Sequence, residues 1–395
     1  MSQNVTTAQV DPVSSIAGTP GRAATRATPP VASVGAVGWV RQNLFGSWIS
    51  TAVTLVLLYV IVRLVVGFVG WAVVRAVWSV PQGPNGPDTS VCRALADPAA
   101  PVPGACWAIL PEKWRLMLFG VYPYAEQWRP GLCIALFLAL YGLTAYRKLW
   151  RIELAYVWVG FIAVILALLW GGFAGLTYVP QEQWGGLPIT LLLATVGLAV
   201  AFPLSILVAL GRRSTGLPAV KMLCVGYVEL IRGVPLVTVL FMASFMFPLV
   251  MPTGLNPDKL LRAQVAVILF AGAYLAEVIR GGLQALPKGQ AEAADALGLS
   301  YWRKTTLITL PQALRLVIPP LVNTFIGFFK DTSLVLIIGI FDFLNTAKLA
   351  YAEQRWQAFS TEIYLVTALV YFAFCYTMAR YSRRLEASYR SATSR

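Results

Sequence analysis

Apolar residues in this chain gather into runs longer than the interior of a water-soluble domain accommodates. A helix that crosses a bilayer needs about 20 mostly apolar residues. Eight runs approach or exceed that length: 47–80, 131–146, 152–172, 187–210, 225–251, 263–284, 332–351 and 361–380. The first is over-long and holds Arg63 and Arg75, which predicts one tilted helix that protrudes from the bilayer. A polar loop rich in Pro and Gly, 81–129, follows it, and the basic turn Arg147-Lys148-Leu149-Trp150-Arg151 separates the next two runs. Residues 1–42, rich in Ala, Thr, Pro, Ser and Val, show neither helical nor strand periodicity and predict a disordered tail. The pattern therefore predicts an all-α polytopic membrane protein of about eight transmembrane helices. Three spans occupy 43–180 and carry the loop 81–129, a five-span core occupies 185–385, and a tail covers 386–395.

Composition narrows the function. Of 395 residues, 58% are hydrophobic and 12% charged, against about 25% charged in a typical soluble domain. Water-soluble enzymes and ordinary binding modules are excluded. There is no histidine, which removes Ser-His and Cys-His catalysis and histidine metal sites. The net charge of +14, without a basic tract of five or more residues, points to membrane topology rather than to a nucleic acid partner. With the N-terminus inside, 20 of the 31 Lys and Arg fall on the cytoplasmic side and eight on the other. That bias places both termini and the stretch 285–331 in the cytoplasm, and the loop 81–129 outside. Cys92 and Cys106 share this outer loop and read either as a disulfide or as two free thiols. Cys133, Cys224 and Cys375 lie in or beside apolar runs as packing residues.

The stretch 285–331 holds charges and helix formers but no clean span. Its first part, ALPKGQAEAADALGLSYWRKTTLITLP (285–311), predicts two short helices around a turn. Pro287 suits a helix start, and Gln290 to Leu297 are strong helix formers. Gly298 can take the left-handed conformation that ends a helix. Ser300 can cap a second helix, which is expected to stop before Pro311. A compact exposed turn of this kind is a docking surface more naturally than a packing element.

Glu292-Ala293-Ala294, Gly298, Ile308 and Leu310-Pro311 match the EAA-x3-G-x9-I-x-LP signature, and here the chain resembles the permeases of binding-protein-dependent ABC importers. The segments 273–300, 310–327, 330–339, 189–210 and 227–241 resemble the polar amino-acid subfamily, so the likeness covers about 185–385. The loop text at 104–132 and the three added spans resemble the larger membrane subunit of the general L-amino-acid importer. The resemblance implies a subunit of the bacterial inner membrane, embedded in lipid. A periplasmic binding protein would deliver an L-amino acid to this chain and a related sister permease. Two cytoplasmic ATPases would dock on the EAA turns and drive alternating access. Glu292, Ala293, Ala294, Gly298, Leu310 and Pro311 would form the coupling element, its small residues letting it sit deep. The chain has no GxxxxGKS/T phosphate loop. ATP and Mg are therefore expected on the partner ATPase, with no cofactor and no catalytic residue on this chain.

Ionisable residues within spans are functional candidates. Glu229-Leu-Ile-Arg232-Gly and Glu277-Val-Ile-Arg280-Gly echo each other 48 residues apart, each placing opposite charges at i and i+3 on one helix face. They read either as self-neutralised pairs that fix helix packing, or as groups that line the path or gate its cytoplasmic mouth. Lys330 and Asp331, with Asn323 nearby, read either as a structural salt bridge or as a site for a zwitterion. The alternative class is a secondary amino-acid transporter, whose mark is two repeated halves with broken helices. Three spans followed by five do not show that.

Overall fold

A computed structural model describes residues 35–84, 86–93, 103–151, 153–252, 254 and 257–393. The tail expected over 1–42 lies outside the described residues up to position 34, and its last part is helical, Gly35–Leu44. The chain divides into two units, Met1–Gly70 and Trp71–Arg395. In the first, Ser47 caps the helix Trp48–Val69 by accepting from the Ser50 amide, and Thr54 Oγ1 donates to Leu44 O at 3.0 Å.

Among the described residues seven helices are long and apolar enough to cross a membrane, and a bent pair makes an eighth. They are Trp48–Val74, Tyr124–Ala145, Glu153–Trp170, Leu187–Arg212, the pair Pro218–Arg232 with Leu236–Val250, Lys259–Gln284, Ile318–Ile338 and Gln357–Ser388. The all-α polytopic fold with about eight spans is as expected, but several boundaries differ for identifiable reasons.

The run 225–251 is not one helix. Its two halves bend by 104°. Pro235 is extended (φ −62°, ψ 145°) and has no N–H to continue the helix, and the residue before a proline avoids helical backbone. The run 332–351 is not a span. The membrane helix begins earlier, at Ile318, where Pro319 and Pro320 suit a first turn. It ends as a 3-10 turn, Thr332–Ile338, stopped by left-handed Gly339. Asp342 then caps a separate helix, Phe343–Ala350, accepting from the amides of Leu344 and Asn345. With these span boundaries Arg212, Lys221, Arg280, Lys330, Arg380, Arg383 and Arg384 leave the larger loop count and Arg129, Lys259 and Arg262 the smaller, so that 13 basic residues stand against five and the bias is unchanged. At the chain's end the helix Ser360–Thr393 runs through most of the expected tail 386–395.

The core of the second unit is the pairing of Leu187–Arg212 with Lys259–Gln284. Small residues let the two backbones approach. A Cβ at Gly197 would lie 3.0 Å from Val267 Cγ1, and Ala263, Ala266, Ala271 and Ala273 are buried on the facing helix. The region after Gly70 is fastened to one end of this core. Gly185–Gly186 pairs in parallel with Phe341–Asp342, and Thr346 Oγ1 donates to Met117 O at 2.7 Å. The Cys106 amide donates to Glu362 Oε1 at 2.8 Å, and Lys113 meets Glu353 at 2.5 Å. That ammonium holds the Glu353 carboxyl below its ordinary range. Cys92 and Cys106 are joined as a disulfide, with Cα atoms 5.5 Å apart.

Arg129 is fully buried, and its guanidinium closes the end of the helix Glu153–Trp170. It donates to Leu168 O at 2.7 Å, Thr177 O at 2.9 Å and Leu169 O at 3.4 Å. Arg129→Met keeps bulk but leaves the Leu168 and Thr177 carbonyls short of a donor, each costing about 1–3 kcal/mol, while Leu169 O keeps its bond from the Tyr122 hydroxyl at 2.9 Å. The expected result is a fall in the thermal midpoint of the purified chain corresponding to about 3 kcal/mol or more. An unchanged midpoint would show that other donors replace the guanidinium.

Candidate functional site

The EAA turn projects from one end of the bundle. Its first helix, Lys288–Ala296, starts after Pro287 and closes with Leu297 N to Ala293 O at 3.1 Å and Leu299 N to Ala294 O at 3.1 Å. Gly298 adopts φ +71°, the left-handed backbone that reverses the chain, and nothing lies within 4 Å of where its Cβ would stand. Lys304 bonds Asp295 across the turn at 2.6 Å. Gln312 Nε2 meets Gln290 Oε1 at 3.2 Å and ties the second helix to the first.

That second helix does not stop before Pro311. After Tyr301–Lys304 it widens into a π turn, Thr305–Thr309, with Leu310 N bonded to Thr305 O, and resumes as Leu310–Leu316. The wide turn shifts the hydrogen-bond register just before the residue that lacks an N–H, and Pro311 falls in the first turn of the resumed helix. Ser300 stands at the start of the second helix with extended backbone, but its side chain makes no capping bond. Leu310–Leu316 packs on Lys259–Gln284, where Gly282 leaves no room for a Cβ beside Ala313 O (2.9 Å).

Glu292, Ala293 and Gly298 are exposed on the turn, and Leu310 and Pro311 are half-buried. Ala294 differs from expectation: it is 1% exposed and forms the floor of the turn rather than its outer surface. The outer surface instead carries Leu297, 79% exposed, and Trp302, 62% exposed, with Tyr301 and Leu307 also exposed. None of these four residues belongs to the EAA signature. Their signal is large apolar residues in a stretch otherwise polar enough to be a loop.

At the same end of the bundle five charged side chains meet, in an arrangement the i, i+3 spacing only half anticipates. Glu277 pairs with Arg280 as expected, Arg280 Nε lying 2.9 Å from Oε2. The echo at Glu229 and Arg232 is not a pair. Glu229 Oε1 accepts from Arg212 Nη2 at 2.8 Å, and Arg212 Nη1 reaches Glu277 Oε2 at 2.7 Å. Arg232 Nη1 approaches the same Oε2 at 3.9 Å and lies over the Tyr274 ring, 5.5 Å from its centre. Glu277 is thus the shared acceptor that joins Leu187–Arg212, Pro218–Arg232 and its own helix. Arg212 was missed, because its partner lies on a different helix.

Lys330 and Asp331 end the helix Ile318–Asp331, and among the described residues they form no ion pair with each other. Asn323 is exposed seven residues earlier, about 10 Å along the helix axis. Among the described residues no ion pair joins these three to the charged cluster. Tyr274, Phe270 and Phe328 stack with ring centres 4.9–6.2 Å apart, which packs the helix Ile318–Asp331 against Lys259–Gln284. Among the described residues no group of three or more His, Cys, Asp or Glu is placed to hold a metal ion.

A family described as binding-protein-dependent transport system inner membrane component matches residues 201–391. The inner membrane amino-acid ABC transporter permease protein YhdY of Escherichia coli K12 is 45% identical over 358 residues, 89% of this chain and 92% of that protein. The glutamate/glutamine/aspartate/asparagine transport system permease protein BztC of Rhodobacter capsulatus is 38% identical over 417 residues, 90% of this chain and 94% of that protein. The crystal structure of an amino acid ABC transporter with histidines aligns at 28% identity and TM-score 0.46, covering 51% of this chain and 92% of that one. With relatives matched over nearly their whole length, and the EAA turn in place, the chain belongs to the inner-membrane permease subunits of binding-protein-dependent ABC transport systems.

Proposed function

We infer that this permease carries L-amino acids inward by alternating access, driven by ATP hydrolysed on a separate chain. The observation that carries the reading is the exposed EAA turn with its apolar outer surface at one end of the bundle. Relatives matched over nearly their full length are named as amino-acid permeases, and they give no support to an ion-gradient-driven transporter. Among the described residues one broken span is present, at Arg232–Leu236. The repeated-half pattern of secondary transporters would require a counterpart to it.

In this reading Glu292, Ala293, Gly298, Leu297 and Trp302 enter a groove of an ATPase, while Ala294 supports them from within. Two such ATPases, holding ATP and Mg, serve this chain and a sister permease, and a periplasmic binding protein delivers the substrate at the opposite end. The chain itself performs no catalysis and needs no cofactor. The basic residues support cytoplasmic termini and a cytoplasmic EAA turn. The Glu277 cluster ties three helices together beside that turn, and motion of the ATPases would be transmitted first to it. We assign it to the inner mouth of the path. Lys330, Asp331 and Asn323, deeper along their helix, remain candidates for contact with a passing zwitterion.

Affinity purification of the tagged chain from native membranes tests the assembly. The expected result is copurification of an ABC ATPase and a second permease chain. Isolation of this chain alone, under conditions that keep it folded, would contradict the reading.

A further inference from the structure

At the end of the bundle opposite the EAA turn, three segments border a partly open cavity of about 150 Å³: the linker 181–184, the start of helix Lys259–Gln284 and the turn 339–341. One water needs on the order of 15 Å³ of such space, so the cavity has room for on the order of ten heavy atoms, the size of a free amino acid. Its rim carries both signs of charge, on exposed side chains. Lys259 brings an ammonium to the first turn of its helix, and Asp258 and Glu182 bring carboxylates. Asp258 stands at the N-cap position but its side chain caps nothing. None of the three belongs to an ion pair among the described residues. The side-chain oxygen of Gln181, another wall, is buried with no hydrogen-bond partner. Trp184 forms an apolar wall held in place by its bond from Nε1 to Val179 O at 3.1 Å. Gly339 adjoins the ammonium: a Cβ there would stand in ordinary contact, 3.6 Å from Lys259 Nζ.

We propose that this cavity is a subsite for a free α-amino acid. The α-carboxylate binds Lys259, at a helix start whose dipole also favours an anion. The α-ammonium binds Asp258 and Glu182. A substrate released at this end of the bundle pauses here before entering the path. The proposal rests on the amino-acid importer reading and adds a site to it.

Titration calorimetry of the detergent-purified transporter complex with each of the twenty L-amino acids, without binding protein, tests it. The same preparation is assayed for ATP-driven uptake in proteoliposomes. At least one amino acid should bind, and Lys259→Gln and Asp258→Asn should each weaken that binding about tenfold or more, with Lys259→Arg restoring part of it. No binding to a complex that performs ATP-driven uptake would overturn the subsite alone. So would equal binding to wild type and Lys259→Gln. An effect of Lys259→Gln confined to the KM for loaded binding protein would also overturn it, and would assign the cavity to protein docking. Binding lost in Lys259→Gln, in a complex that takes up no amino acid with ATP, would sustain the subsite and sink the importer reading.

Discussion

Gly298→Asp should abolish ATP-driven uptake while leaving the permease folded. Aspartate tolerates left-handed backbone better than most residues, and nothing lies within 4 Å of the position its Cβ takes. The turn therefore survives, and the thermal midpoint of the purified chain should stay within about 2 °C of wild type. What changes is the surface offered to the ATPase, between Leu297 and the Tyr301–Trp302 pair. An uncompensated charge buried in a contact costs about 3–5 kcal/mol. Since about 1.4 kcal/mol is a factor of ten in association, docking should weaken by about a hundredfold or more. Glu292→Lys, at an exposed position, should act in the same direction. Uptake that survives both substitutions would show that this turn is not where ATP hydrolysis is coupled.

The second large effect separates two glutamates that look alike in sequence. Glu277 is 24% exposed and accepts from Arg212 and Arg280 with Arg232 nearby, whereas Glu229 is 63% exposed and meets only Arg212. Glu277→Gln leaves three guanidinium groups facing one another around a neutral amide. With hydrogen bonds to charged groups worth about 1.5–3 kcal/mol each, and some of this screened by solvent, the expected loss is about 2–3 kcal/mol. Glu229→Gln removes one exposed contact, and its expected cost is about 0.2–1 kcal/mol. Thermal unfolding of the two variants side by side checks the ranking. Equal losses would mean that Glu277 is not the hub.

The membrane spans were legible because long apolar runs have few other physical explanations. Their ends were less so, for reasons that individual residues make plain. Pro235 lies inside a run apolar enough to mask a 104° bend. The text from Thr332 to Tyr351 stays apolar through Gly339 and Asp342, so a 3-10 end and a separate short helix read as one span. The EAA motif marked the exposed turn by its spacing, and Gly298 does take the left-handed conformation that ends a helix. Spacing could not tell that Ala294 faces inward, since that depends on which side of a short helix meets the bundle. The charged cluster was half legible. An i, i+3 interval shows that Glu229 and Arg232 can pair, but the partner chosen, Arg212, comes from the neighbouring helix and is fixed by packing. Likewise the sequence left Cys92 and Cys106 open between thiols and a disulfide, and the fold brings their Cα atoms to 5.5 Å. Burial there also shapes a charge no motif indicated: Asp342 is wholly enclosed, which raises its carboxyl above the usual range despite the bond it accepts from Tyr371.

Reconstitution tests the central claim most directly. The chain, its sister permease and their ATPases are placed in proteoliposomes with ATP inside and loaded binding protein outside, and uptake of labelled L-amino acids is followed. The account predicts accumulation that requires hydrolysable ATP and disappears with ADP. Accumulation by this chain alone, or at the same rate without ATP, would contradict it.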